Sequence, residues 1–240
     1  MNYFEEQFRS LHLSGMAECW QTIEETRKKE SLSLDDGLRM LIQYEKDWRQ
    51  NKRTARLIKK ARFRYNATVA DIICDPARGR DKDRVMELAT CGYIDRGLSV
   101  LVTGPAGVGK SLIVSAYGNQ ACLNGYKVAY YNMQKLLETL QLARIEGTAM
   151  RLYEKLADVD LLIIDDFGMR VLDGKQLLDF MELIEDRHGR KSTMIASQLP
   201  VTSWYEVFAK NATIADALVD RIVKTSYHFE LKGDSLRKKV

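Results

Sequence analysis

The residue types best suited to chemistry fall in one stretch, Ser99 to Ser111, which reads Ser-Val-Leu-Val-Thr-Gly-Pro-Ala-Gly-Val-Gly-Lys-Ser. From Gly104 onward it fits the phosphate-loop template G-x-x-x-x-G-K-[ST]. Glycines let such a loop wrap a phosphate chain without Cβ clashes. The N–H groups and the positive dipole end of the following helix then face the phosphates. Lys110 can reach the β- and γ-phosphates, and the Ser111 hydroxyl can hold Mg²⁺. A second group lies in Asp160-Leu161-Leu162-Ile163-Ile164-Asp165-Asp166. Four apolar residues ending in a carboxylate match a Walker B strand. Asp165, at its tip, can bind Mg²⁺ directly or through water. Asp166 is placed to orient and polarise an attacking water. The two groups together imply binding and hydrolysis of ATP with Mg²⁺.

Positioning these residues requires a sheet. Val100 to Val102 is a short β-branched run, the sign of a buried strand, and Lys110 to Tyr117 reads as the helix after it. Further strands are expected at Tyr126–Tyr131, Asp160–Asp166, Ser192–Gln198 and Thr225–Leu231. Helices are expected at Arg84–Tyr93, Asn132–Arg144, Thr148–Ala157, Asp173–His188, near Trp204–Phe208 and near Thr213–Val223. Leu136, Leu137 and Leu140 should point inward. So should Leu177, Leu178, Phe180, Met181 and Ile184. The alternation implies an α/β fold with a five-stranded, doubly wound parallel sheet flanked by helices. A full strand separates the phosphate loop from the acids, as in additional-strand ATPases, AAA+ proteins included, and unlike most nucleotide kinases. The strand ending at Ser197-Gln198 would bring a polar side chain beside the γ-phosphate if it neighbours both nucleotide strands.

Residues 1–65 carry no proline and no strand signal, and read as a small all-α N-terminal domain before the ATPase domain, 66–240. Leu11, Leu13, Met16 and Trp20 have helical spacing. After Ser33 a long helix begins, with Leu38, Leu41, Ile42, Glu45 and Trp48 marking one face. Its second half is basic. Arg49, Lys52, Arg53, Arg56, Lys59 and Lys60 recur at i, i+3, i+4, i+7 spacing, with Arg62 and Arg64 following. No acid lies between Arg49 and Asn66, in a chain with 33 acidic residues. This favours contact with a nucleic-acid backbone over a merely solvated face. Residues 66–83 look like a linker, with a turn at Asp75-Pro76-Ala77-Arg78-Gly79.

Composition sets limits. The net charge of +4 over 240 residues is modest, so a nucleic-acid surface must come from local clustering. Four cysteines form no metal-like spacing and read as buried, reduced thiols of a cytoplasmic protein. The N-terminus lacks the features of a signal peptide, and no apolar run is long enough to span a membrane.

Three motifs carry a specific resemblance. Gly104-Pro105-Ala106-Gly107-Val108-Gly109-Lys110-Ser111, Leu162-Ile163-Ile164-Asp165-Asp166-Phe167-Gly168 and Ile195-Ala196-Ser197-Gln198-Leu199-Pro200 are similar to the AAA+ core of IstB-type proteins. These are helper ATPases of insertion-sequence transposons, related to DnaC helicase loaders. Leu13-Ser14-Gly15-Met16-Ala17, Glu87-Leu88-Ala89-Thr90-Cys91, Ala215-Asp216-Ala217-Leu218-Val219-Asp220-Arg221 and the run from Glu230 to Lys238 extend the resemblance over nearly the whole chain. It implies ATP binding by Gly104, Pro105, Ala106, Gly107, Val108, Gly109, Lys110, Ser111 and Leu112. Metal ligation falls to Ser111 and Asp165, and the role of catalytic acid to Asp166, where many AAA+ proteins carry Glu. Gln198 resembles sensor 1, with Ser197 the alternative. Arg221 resembles an arginine finger acting on a neighbouring subunit, and Arg237 resembles sensor 2. Relatives carry an extra helix after the second strand. Here Thr148–Ala157 would be that helix, with Arg144 and Arg151 facing DNA. The expected partners are double-stranded DNA, a transposase subunit and further copies of the chain with ATP at their interfaces. A DnaC-like loader acting on single strands is the alternative. A small-molecule kinase is disfavoured by the basic helix and by Arg221.

Overall fold

A computed structural model describes residues 3–208, 212–224 and 226–236. It divides into two compact units, Met1–Arg56 and Leu57–Val240. The division falls earlier than the expected end of the helical region at residue 65.

The first unit holds α1 (Tyr3–Ser10), α2 (Ser14–Glu25) and most of α3 (Leu34–Ala61). Its core is Cys19, Ile23 and Leu41, with Phe8, Met16, Trp20 and Leu32 packed around them. Leu38 and Ile42 do not join it; they are 50% and 46% exposed. The inward stripe of α3 is narrower than the sequence suggests and includes a carboxylate. Glu45 is buried, and its Oε2 accepts from the Met16 N–H at 3.0 Å, capping the first turn of α2. Burial alone would raise the Glu45 carboxyl. Arg49, bonded to it at 2.6 Å, and the N–H groups of Met16 and Gly15 outweigh burial and hold it below its usual range.

The second unit continues with α4 (Lys82–Ala89), α5 (Gly92–Asp95), β1 (Ser99–Thr103), α6 (Lys110–Leu123), β2 (Val128–Asn132), α7 (Met133–Ile145) and α8 (Ala149–Asp158). Then come β3 (Leu161–Phe167), α9 (Gly174–Arg187), β4 (Ser192–Ser197), α10 (Trp204–Val207), α11 (Ala212–Val223) and β5 (Ser226–Glu230). The sheet is parallel with order β2-β3-β4-β1-β5. Strand residues alternate between two apolar layers, because successive side chains leave a strand on opposite faces. Val100, Val102, Ile163 and Met194 pack with α6. Leu101, Leu162, Ile164 and Ile195 pack with α7, α8, α9 and α11. In α9, Leu178 is 56% exposed instead of inward, while Leu183 is buried.

Residues 66–83 do not form a loose linker. Ala67 and Ile72 are buried on the α6 side, and the Asn119 amide donates to the Ala67 carbonyl at 3.0 Å. Of the four cysteines Cys74 is exposed, contrary to expectation; the other three are buried.

Arg187, the last residue of α9, is 1% exposed. Its guanidinium donates to the carbonyls of Leu156, Val159 and Ser192 and to the Thr193 hydroxyl, tying the end of α8 to the start of β4. Burial lowers its pKa to about 10. Arg187→Met should destabilise the second unit by roughly 2–5 kcal/mol, since it strands several buried acceptors. Urea unfolding followed by tryptophan fluorescence measures this. A loss under about 1 kcal/mol would mean that those acceptors find other partners.

Candidate nucleotide site

β1 delivers the chain to the phosphate loop, and α6 carries it away. Gly104 and Gly107 have φ of +146° and +84°, backbone that L side chains rarely adopt. Both also touch the segment after β5. A Cβ at Gly104 would lie 2.4 Å from the Leu231 carbonyl oxygen, and one at Gly107 would lie 2.1 Å from the Ser235 hydroxyl. The Leu236 N–H donates to the Gly107 carbonyl at 2.9 Å. Lys110 opens α6 and is buried; its ammonium donates to the Gly104 and Pro105 carbonyls at 2.7 Å each. Ser111 lies one residue further into the first turn.

The acids come from β3. In a regular strand Asp165 and Asp166 would point to opposite faces. The β3–β4 register shifts here: Ile164 pairs with Ile195 and Phe167 with Ser197, a bulge that sets two residues against one. Asp166 takes φ +56°, a left-handed conformation that Asp and Asn tolerate better than most residues. Its N–H donates to Asp165 Oδ1 at 2.9 Å. The bulge thus brings the two carboxylates to one place. Asp165 is 1% exposed and its Oδ2 accepts a short bond from the Tyr130 hydroxyl. Burial, and then that bond, push the Tyr130 phenol well above its ordinary range, so it stays a donor. Asp166 Oδ2 accepts from the Asn132 amide at 2.9 Å and from Arg64 at 3.0 Å.

Sequence spacing does not single out Tyr130, Asn132 or Arg64 as site residues. The register Asn132↔Asp165 shows what signal existed: a polar residue ending the strand beside the acids. For Arg64 the sequence pointed elsewhere, to the basic run. The structure turns it toward the acid pair and leaves it exposed.

Ser197 is fully buried; its hydroxyl donates to the Phe167 carbonyl and accepts from the Leu199 N–H. The Gln198 amide lies 3.3 Å from the Met169 sulfur. Arg221, on α11, pairs with Glu185 on α9, and its carbonyl bonds His188. It lines a small cleft with Ser99 and Thr193, the starts of β1 and β4, at the end of the sheet opposite the phosphate loop. Arg221 therefore stands away from its own chain's nucleotide loop. Arg237 lies outside the described residues.

The basic stripe is only partly as expected. Arg49, Lys52, Arg53, Arg56, Lys59 and Lys60 are all exposed, while Thr54 and Ala61 on the other side of α3 are buried. Arg49 is committed to Glu45, and the Lys52 ammonium sits 4.1 Å over the Trp48 ring. Arg144 is not turned outward as an unpaired cation: it bonds Asp179 at 2.5 Å, Tyr153 and Glu182. Those acids neutralise it, so it serves to join α7 to α9. Arg151, on α8, is exposed.

A phosphate loop after β1, a strand-end acid pair on β3 and strand order β2-β3-β4-β1-β5 define an ATPase of the AAA+ class. The order sets β4 between the loop strand and the acid strand, the neighbour position in which a polar strand end faces both. The chain belongs to the IstB-like ATP binding protein family, whose family model matches residues 6–240. It is 36% identical to the insertion sequence ATP-binding protein y4pL of Sinorhizobium fredii, over 97% of this chain and 95% of that protein. It is 39% identical to the insertion sequence IS1162 ATP-binding protein of Pseudomonas fluorescens, over 81% and 84%. In fold it is similar to the DnaC helicase loader, with 18% identity and a TM-score of 0.57 over 70% of this chain and 98% of that one. DnaI is comparable, at 18% identity and 0.59 over 72% and 91%.

Proposed function

We propose that this ATPase assembles as a homo-oligomer on duplex DNA, remodels or bends it, and recruits or activates a transposase during DNA transposition. The observation that carries this reading is the α3 stripe. It sets exposed cations at helical spacing along one side, with Thr54 and Ala61 buried on the other. Such an array follows a phosphate backbone and positions a protein without reading sequence. The transposon setting is supported by relatives whose names tie them to insertion sequences. That relation also favours duplex remodelling over helicase loading.

In this reading Lys110 swings from the loop carbonyls to the β- and γ-phosphates. Among the described residues no cluster of three or more His, Cys, Asp or Glu could cage a metal. Mg²⁺ needs no such cage; one or two carboxylates with substrate phosphates suffice. Ser111 and Asp165 offer the matching hard oxygen donors, and the ion would neutralise charge on the transferred phosphoryl group. Asp166 orients and deprotonates the attacking water. The Ser197 hydroxyl is committed to the backbone, so Gln198 takes the sensor role. Arg221 completes the site of the neighbouring subunit.

A salt titration of DNA affinity tests the DNA assignment. Each phosphate neutralised adds about 0.9 to the log–log slope for duplex DNA. Arg53→Ala with Arg56→Ala should lower the slope by up to about two and weaken all sequences alike, with ATP affinity intact. ATP should tighten binding of the unmodified protein, because assembly repeats the stripe along one duplex. Equal slopes and affinities for both proteins would make α3 an ordinary solvated face.

A further inference from the structure

The hydrolysis scheme leaves one guanidinium unused. The chain leaves α3 through Arg62, whose φ is +59°. Phe63 then packs edge-on against Tyr130, with ring centroids 6.2 Å apart, and so close to α6 that any side chain at Gly118 would collide with it. This anchored turn aims Arg64 at the acid pair. Its Nη1 lies 3.0 Å from Asp166 Oδ2 and 3.6 Å from Asp165 Oδ2. The Arg64 side chain keeps 42% of its exposure, while Asp165 keeps 1%.

These contacts fall on one oxygen of each acid, Oδ2 in both. Asp165 Oδ2 faces both the Tyr130 hydroxyl and Arg64. Asp166 Oδ2 is taken by Asn132 and Arg64. A hard divalent cation needs such oxygens in near-octahedral array. A fixed positive charge beside them opposes its approach. The guanidinium and the Asn132 amide together compete with a water O–H for Asp166 Oδ2.

We infer that Arg64 is a positioning residue that latches the acid pair. It holds Asp165 and Asp166 in a form that takes Mg²⁺ weakly and does not activate water, and its withdrawal permits hydrolysis. The inference rests on the proposed roles of Asp165 and Asp166. What withdraws Arg64 is a polyanion. Lys59, Lys60 and Arg62 precede it and are exposed. Duplex DNA drawn to these cations competes, phosphate against carboxylate, for a guanidinium that solvent already reaches. The same contact would thereby bind DNA and release the acids.

The test uses the full chain, with Arg64→Ala and Arg64→Lys. ATP affinity is measured by calorimetry in Mg²⁺ and in EDTA, and turnover with and without duplex DNA. In Arg64→Ala the ratio of the two affinities should rise roughly three- to tenfold, the scale for a partly exposed pair that includes one buried carboxylate. DNA-free turnover should rise as well, and stimulation by DNA should fall toward one. Arg64→Lys, which keeps the charge, should stay near the unmodified protein. If Arg64→Ala fails to fold, Arg64→Gln carries the same expectation. An unchanged ratio with unchanged DNA-free turnover overturns the latch. So does lower turnover in both variants, which would make Arg64 a helper of hydrolysis. If DNA gives the unmodified protein no stimulation yet the ratio rises in Arg64→Ala, the latch stands and the DNA reading falls. Normal DNA stimulation in Arg64→Ala, with no change in the ratio, has the reverse meaning.

Discussion

Arg221→Ala should reduce ATP turnover by roughly 10³–10⁵-fold, the range for arginine fingers in other P-loop enzymes. The geometry makes this a test of assembly. Arg221 lies beside the starts of β1 and β4, whereas the phosphate loop follows the end of β1. Its guanidinium pairs with Glu185, so a finger role would have to be played on the loop of another subunit. Mixing Arg221→Ala subunits with Lys110→Ala subunits should therefore restore part of the activity. At one kind of mixed interface an intact loop meets an intact arginine. Turnover is followed by phosphate release, and co-assembly is established separately. If the two variants co-assemble and no activity returns, Arg221 is a brace between α11 and α9 rather than a finger.

Asp166→Asn should lower turnover by about 10²–10⁴-fold, the usual contribution of a positioned general base, while ATP still binds. Asparagine is the informative replacement here. It tolerates the left-handed backbone of this position, so the bulge survives while the charge and its ion pair with Arg64 are lost. The amide can still face Asn132 and the Asp165 carboxylate. Complexes with DNA should last longer, because the ATP-bound assembly persists. Calorimetry gives the affinity, and steady-state kinetics the turnover. Wild-type turnover in this variant would move the role to Asp165 or to another acid.

Much of the fold could be read from the chain because its signals are local. Apolar β-branched runs between helical stretches gave the five strands in order, and their bounds differ by a residue or two from those observed. The phosphate loop is legible for the same reason: one short segment holds all its parts. The acid pair was legible as a pair but not as a geometry. Nothing local says that Asp165 and Asp166 share a side, because the bulge depends on the β4 register. Arg64, Tyr130 and Asn132 meet those acids from distant segments, and no spacing rule connects them. Charge patterning also misleads where partners are remote. Arg144 and Arg64 read as surface cations, yet each has carboxylates from elsewhere in the fold. Residues 66–83 read as a linker because composition cannot reveal that Ala67 and Ile72 find a buried place against α6.

The near-contacts of Gly104 with Leu231 and of Gly107 with Ser235 have a mechanical consequence. The nucleotide loop and the exit from β5 lie too close to move independently; a small displacement of one pushes directly on the other. Among the described residues β5 pairs with β1 alone and forms one border of the sheet. A shift of the loop would therefore press on Leu231 and Ser235, in the run that continues from β5, and so on that border strand. A nucleotide that shifted the loop would thus act as if on a lever, with β5 as its far arm.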